Sequence, residues 1–214
     1  MRKGERTRQR VLDVAEALFA QRGYDATTLT DVAVGANLRP PSLYNHFDSK
    51  DVLYTAVLER ACQPILDLLR RFLSHQPTAD DIPELTADIV GALASHPNMP
   101  RLVAFEALRG SRELVQIVAA WIGPFVQHGM EVQRRVRPSG RWSLEEMPFL
   151  VMALGNVFLG YFAMSSLFGA AIGMDALSEP MIQRQTRFVQ KLLDVIWAGP
   201  PDPSDAPDDD SPTE

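Results

Sequence analysis

The sequence contains little of the chemistry that enzymes, metal proteins and disulfide-bonded proteins need. One of its 214 residues is cysteine, Cys62, which excludes an internal disulfide framework and suits a reducing cytoplasm. No glycine-rich phosphate loop occurs, and no nucleophile has a partner at a catalytic spacing. The four histidines fall on separate predicted helices or loops, and they are His46, His75, His96 and His128. We therefore expect no enzyme, no metal site and no cofactor.

Net charge is small and unevenly distributed along the chain, which carries −6 in all. Residues 202–214 contain six carboxylates and no basic residue, so this end accounts for the whole net charge. Residues 1–10 instead carry five basic side chains against Glu5, a local charge of +4. Such a basic segment suits a chain that binds DNA phosphates, although a solvated terminus is the alternative. Residues 199–214 are rich in proline and aspartate and are predicted to form a disordered acidic tail.

Apolar residues elsewhere recur at the spacing of helices, which predicts an all-α fold of about nine helices. The first helix runs from about Glu5 to Arg22 and closes at Gly23. Pro64 lies inside a long helix over about 49–74 and predicts a kink or break there. The later helices are predicted over about 80–95, 99–108, 111–136, 144–172 and 179–197.

Residues 28–50 carry the most specific local pattern. Thr28 precedes Asp31 by three residues, a spacing typical of a helix N-cap. Asn37 tolerates the left-handed backbone that ends a helix, and Pro40 and Pro41 fit the first turn of the next one. Leu43 and Phe47 would face inward from that second helix. Two short helices with a tight turn, followed by a third helix, indicate a helix-turn-helix.

These residues resemble the TetR family of one-component transcriptional regulators. The resemblance rests on Asp31-Val32-Ala33, on SLYNHF at 42–47 and on DSKDVLY at 48–54, and it covers roughly residues 7–58. It implies an N-terminal three-helix DNA-binding domain, residues 1–50, with a recognition helix at about 39–46. It also implies a larger helical domain, residues 51–198, that binds an effector and dimerises. Helices at about 144–172 and 179–197 would form a four-helix bundle across the two-fold axis.

The residues expected to contact DNA fall into two groups. By their reach from the start of the recognition helix, five side chains are candidates for base contacts: Thr30, Arg39, Pro40, Ser42 and Asn45. Arg39 can form a forked pair with guanine, and Asn45 with adenine. By resemblance, the phosphate contacts are Thr28, Tyr44, His46 and Lys50. Thr28 could instead only cap its helix, and Tyr44 could only pack its ring.

The resemblance implies a homodimeric repressor that a small-molecule effector releases from a palindromic double-stranded operator. An activator of the same family is the alternative. Six residues are candidates for the effector pocket, with plain core as the alternative for each: Phe105, Trp121, Phe125, Met152, Asn156 and Phe162.

The segment Met147–Met174 contains no charged residue and is long enough to cross a bilayer. Gly169 and Gly173 also match a membrane helix-packing spacing, so a membrane-associated helical protein is an alternative. Against it stand polar and small residues within the segment, among them Asn156 and Ser165. A helix buried both in its own domain and against its twin needs no polar face either. We therefore expect a cytoplasmic protein with no membrane partner.

Overall fold

The computed structural model describes residues 3–75, 78–110, 142–143 and 145–197, with scattered positions between 112 and 131. Within these residues the chain forms nine α-helices and no strand, which confirms the all-α prediction. The helices are α1 (Lys3–Arg22), α2 (Leu29–Gly35), α3 (Pro40–Tyr44), α4 (Lys50–Ser74), α5 (Ile82–Ser95), α6 (Asn98–Arg109), α7 (Met147–Ala163), α8 (Ser165–Ile172) and α9 (Glu179–Trp197). A short 3-10 turn, Ala79–Asp81, precedes α5. The tail and most of the helix predicted over 111–136 lie outside the described residues.

The helix ends follow the local signals in the sequence. Gly23 and Gly110 adopt φ of 77° and 66° after α1 and α6, a left-handed backbone that glycine allows without steric cost. Among the residues that the structure describes, Asn37 is the one non-glycine residue with positive φ, at 53°. The hydroxyl of Ser49 accepts a hydrogen bond from the amide of Val52 and caps α4. Local chemistry therefore sets where the first helices stop and start.

Two of the predicted long helices differ in continuity, since one continues and one is divided. Helix α4 continues through Pro64, so the predicted alternative of a break is wrong and a kink stays a prediction, and Cys62 and Leu66 on either side are buried. The single helix predicted over 144–172 is instead two helices, α7 and α8, bent by 58° at Met164. The Ser165 hydroxyl donates to the carbonyl of Phe162 at 2.8 Å, which satisfies a backbone group at the bend.

One continuous hydrophobic core joins the N-terminal helices to the rest of the protein. It runs from Phe19, Val32 and Phe47 to Leu102 and Phe162. Helix α6 packs against both α1 and α4, and α9 packs against α5. A displacement of α6 therefore acts directly on α1 and α4, the helices on either side of the helix-turn-helix.

Charged side chains reinforce the contact between α1, α4 and α6. The guanidinium of Arg60 forms ion pairs of 2.7 Å with both Asp13 and Glu16 on α1. The amide of Asn98, at the start of α6, donates to the other oxygen of Glu16 at 3.3 Å. Arg60 on α4 therefore binds Asp13 and Glu16 on α1. Asn98 on α6 binds the same Glu16 carboxylate, so this group links α1 to both α4 and α6.

Among the described helices, none is by itself both long and apolar enough to cross a membrane. The pair α7 and α8 meets the length and composition criteria only when the two helices are taken together across their bend.

Candidate nucleic-acid interface

The turn between α2 and α3 is fixed by backbone geometry. The left-handed Asn37 reverses the chain, and the amide of Leu38 donates to the carbonyl of Ala33 at 2.8 Å. Arg39 is extended, and Pro40 and Pro41 occupy the first turn of α3, where a missing N–H breaks no helical bond. The chain thus enters α3 at a defined angle to α2.

Helix α3 has a buried side and an exposed side. Leu43 is fully buried, and Phe47, just beyond the helix, is buried with it. Arg39, Pro40 and Asn45, predicted to contact bases, are exposed, Ser42 is half-buried, and Thr30 on α2 is exposed. The regular helix is shorter than the predicted 39–46, because Asn45 and His46 form the turn that follows it. All five candidate base contacts retain access from solvent.

Thr28 forms the predicted cap at the start of α2. Its hydroxyl accepts from the amide of Asp31 at 3.1 Å, and the Asp31 carboxylate accepts from the amide and hydroxyl of Thr28 at 3.0 and 2.7 Å. These bonds lower the pKa of Asp31. Because the folded pKa lies below the unfolded one, their stabilisation is present above the unfolded pKa and is lost as pH falls through the folded pKa. The capping role of Thr28 is confirmed, and its phosphate contact stays a prediction.

Replacing Thr28 by alanine is expected to lower the free energy of unfolding by about 1 kcal/mol, since it removes the N-cap acceptor. Urea denaturation followed by circular dichroism measures this loss. Thr28→Ser keeps the hydroxyl and should restore most of the stability. A Thr28→Ala protein as stable as the wild type would show that the cap contributes nothing to α2.

The other predicted phosphate contacts occupy the edges of the same surface. Tyr44 is 51% exposed, which excludes the alternative that its ring is simply core, and His46 is half-buried. The Lys50 ammonium lies 4.1 Å from the centroid of the Tyr24 ring and donates to the carbonyl of Asp25 at 3.5 Å. Lys50 is therefore held in place at the start of α4, which the sequence did not predict.

The basic end of α1 also reaches this domain. The guanidinium of Arg8 lies 5.0 Å above the ring of Phe47, and Arg6 and Arg10 are exposed. Arg8 therefore packs on the residue that directly follows the helix-turn-helix, while its neighbours remain available to phosphates.

The six candidate pocket residues are widely scattered. Phe105 lies beside Gly23 at the contact between α6 and the end of α1, with 38% of its surface exposed. Met152 and Asn156 are exposed on α7, and Phe162 is buried in the core. Trp121 and Phe125 lie outside the described residues. Phe162 therefore lies in the core, Phe105 lies at the contact between α6 and the end of α1, and Met152 and Asn156 lie on the surface.

A small apolar cavity of about 150 Å³ lies where α7, α8 and α9 meet, and none of the six residues lines it. Its lining includes Tyr161, Phe168, Ile172 and Met181. Effector pockets usually measure roughly 300–1,000 Å³, so this cavity is too small for a typical effector as it stands. Among the described residues, no group of histidine, cysteine or carboxylate side chains could hold a metal ion.

Leu43 and Phe47 are buried behind the exposed side of the short helix α3. A turn of defined geometry precedes α3, and the capped helix α4 follows it. This arrangement defines a helix-turn-helix domain of the kind that inserts its second helix into the DNA major groove.

Comparison with known proteins identifies the family of this domain. Residues 11–57 match the family described as bacterial regulatory proteins, tetR family. Over 64 residues the chain is 36% identical to IcaR of Staphylococcus epidermidis, the biofilm operon icaADBC HTH-type negative transcriptional regulator. That match covers 30% of this chain and 35% of the relative, so the chain spans about a third of the relative's length. The N-terminal domain belongs to the TetR family, which confirms the resemblance.

Solved structures share the fold over nearly the whole chain. SCO4942 from Streptomyces coelicolor matches with a TM-score of 0.65 at 20% identity, over 91% of this chain and 99% of that one. A transcriptional regulator of the TerR/AcrR family from Aquifex aeolicus VF5 matches with 0.58 at 21% identity, over 87% and 99%. A gamma-butyrolactone receptor (ArpA like protein) matches with 0.62 at 18% identity, over 89% and 100%. At these identities the comparison establishes the shared fold.

Proposed function

We propose that the chain is a sequence-specific DNA-binding transcriptional regulator of the cytoplasm. The observation that carries the proposal is the exposed edge of α3, which presents Arg39, Ser42 and Asn45 while Leu43 anchors the helix from behind. An arginine directly before the recognition helix and an asparagine directly after it can read guanine and adenine in the major groove. Thr28, Tyr44, His46 and Lys50 would bind the flanking phosphates and fix the register.

The chain would act as a homodimer on a palindromic operator, because its later helices expose an unusual amount of apolar surface. Large apolar side chains at least half exposed lie on α7, α8 and α9: Phe149, Met152, Leu167, Phe168, Ile172 and Phe188. Exposed apolar side chains in such numbers are typical of a protein interface. A twin subunit would bury it and would place two recognition helices on successive major grooves.

The names of similar proteins support repression and release by an effector. The Staphylococcus IcaR protein is named a negative regulator, and one structural neighbour is named a receptor for a small lactone. An effector that prefers the conformation with mis-spaced recognition helices would release the operator. A coupling of about 1–3 kcal/mol would change operator affinity roughly 5- to 150-fold. Finding that no small molecule alters DNA affinity or melting temperature would count against this part of the proposal.

Fluorescence anisotropy of the purified protein tests the proposal directly. The labelled duplexes are the region upstream of the protein's own gene and an unrelated sequence of equal length, each titrated across a salt series. We expect a preference of about 10³ or more for the operator. Equal, weak binding to both would mean that the operator lies elsewhere or that the domain is a structural look-alike.

Two substitutions separate base contacts from phosphate contacts in the same assay. Lys50→Ala should weaken binding to both duplexes alike and reduce the salt slope by about one. Asn45→Ala should instead change which sequence is preferred, at a cost of roughly 1–3 kcal/mol on the operator. Intact affinity and preference in Asn45→Ala would show that α3 docks in another register.

A further inference from the structure

The ring of Tyr24 lies where three helices converge, between two cations. The Lys50 ammonium, at the start of α4, is 4.1 Å from the ring centroid, and the Arg109 guanidinium, at the end of α6, is 4.3 Å from it. Both distances are within the range of cation–π attraction. A side chain of the proposed DNA interface and a side chain of the larger domain therefore share one aromatic ring.

The ring itself is held on several sides. Its hydroxyl donates a hydrogen bond to Asp51, and it packs edge-on against Tyr54 with centroids 4.9 Å apart and stacks on Phe19 at 6.1 Å. Burial, reinforced by the bond to Asp51, raises the pKa of Tyr24 to about 12. Tyr24 is thus neutral at physiological pH, and its ring is held by residues of α1 and α4.

Arg109 is held on the ring by a buried carboxylate. One oxygen of Glu106, a residue 1% exposed, accepts from the Arg109 guanidinium at 2.8 Å. The Tyr54 hydroxyl lies near the same carboxylate without reaching hydrogen-bond geometry, and burial and this neighbour raise its pKa. Because Glu106 is fixed in the α6 core contact, the position of Arg109 follows the position of the last turn of α6.

We propose that Tyr24 and Arg109 are positioning residues for Lys50, which they hold ready for a DNA phosphate. A free lysine samples many rotamers and must lose them on binding, whereas the ring and the Asp25 carbonyl already restrict this one. Lys50 as a whole is only half-buried, which leaves the side chain access to a phosphate. A shift of α6 that moves Arg109 off the ring removes one of the contacts that hold Tyr24 and thereby loosens Lys50.

This inference rests on the proposed function in one respect, the contact of Lys50 with phosphate. It adds a direct route from α6 to the DNA backbone that bypasses the recognition helix. Because the route acts on a phosphate contact, it changes affinity for all DNA sequences alike and leaves sequence preference unaltered.

A double-mutant cycle between Arg109→Gln and Lys50→Ala tests the route. Anisotropy is measured on the operator and on unrelated duplex for the wild type, both single variants and the double variant. We expect Arg109→Gln to weaken binding to both duplexes by about two- to fivefold per subunit, the strength of a partly exposed cation–π contact. In the Lys50→Ala background the same change should have no further effect.

Matched variants separate positioning from general damage. Arg70, on an exposed part of α4, pairs with Asp67 three residues earlier at 3.2 Å, as Arg109 pairs with Glu106 three residues earlier. Arg70→Gln therefore removes a comparable arginine and should leave DNA binding unchanged. Arg109→Lys keeps a cation over the ring and should restore binding. Tyr24→Phe keeps the ring and should bind nearly as well as wild type, whereas Tyr24→Leu should bind as weakly as Arg109→Gln.

Each outcome decides the proposal. Additive effects of Arg109→Gln and Lys50→Ala on the binding free energy would overturn it. Tighter DNA binding by Arg109→Gln would also overturn it, because the contacts with the ring would then be keeping Lys50 away from the DNA phosphate. If melting shows that Arg109→Gln is unfolded at the assay temperature, the cycle of Tyr24→Leu with Lys50→Ala gives the same test. Failure of the regulator proposal is seen separately, as equal wild-type affinity for operator and unrelated DNA, while the cycle can still be completed on either duplex.

Discussion

Replacing Phe47 by alanine is expected to lower the free energy of unfolding by about 3–5 kcal/mol, the usual cost of emptying a buried aromatic site. The side chain is 2% exposed and belongs to the core shared by α1, α2 and α4. Its ring also supports the guanidinium of Arg8. Since a native domain is stable by only roughly 5–15 kcal/mol, the loss would be a large fraction of the total. Urea denaturation followed by circular dichroism measures it.

Tyr44→Ala is the matched control, because it removes an aromatic ring three residues earlier in the same segment. Tyr44 is 51% exposed, so we expect a change in stability within about 0.5 kcal/mol, together with weaker binding to DNA of any sequence. Equal destabilisation by the two substitutions would contradict the division of this segment into a buried and an exposed side.

Phe188→Asp is expected to convert the proposed dimer into monomers and to lower operator affinity by about 10²–10⁴, the contribution of linking two half-site contacts. The ring is 60% exposed on α9 and belongs to the set of exposed apolar side chains on the last three helices. A carboxylate there would be buried without a partner in the dimer but solvated in the monomer. Sedimentation velocity gives the oligomeric state, and anisotropy gives the affinity.

The control for this prediction is Gln183→Asp, on the same helix. Position 183 lies five residues from Phe188, roughly 140° around the helix, and is exposed. It should leave both the dimer and operator affinity intact. A Phe188→Asp protein that sediments as the wild type does would place the twin subunit on another face.

The helix-turn-helix was predictable because its signals are local. Thr28 and Asp31 cap a helix through bonds between residues three apart, and Asn37 ends it through its own backbone preference. Pro40 and Pro41 start the next helix for reasons that hold in any chain. Such interactions depend on neighbours in sequence, so the sequence alone displays them.

The later helices were less predictable, because apolar character alone does not show where a helix bends. Residues 144–172 read as one helix, but the chain bends at Met164 and Ser165 satisfies the carbonyl freed there. Pro64 is the converse case, since a residue that favours a break lies in a helix that continues through it. In both places tertiary contacts overrode local preference.

The sequence by itself determined the all-helical fold, the family of the N-terminal domain and the outward face of α3. These follow from helical spacing, capping residues and short motifs, all of which act over a few neighbouring positions. Only the tertiary structure decided that Lys50 shares the Tyr24 ring with Arg109, that Phe105 lies against Gly23, and that Phe162 is buried in the core. The partners in these contacts are far apart in the chain, and no periodicity in sequence encodes which of many apolar and charged side chains will meet.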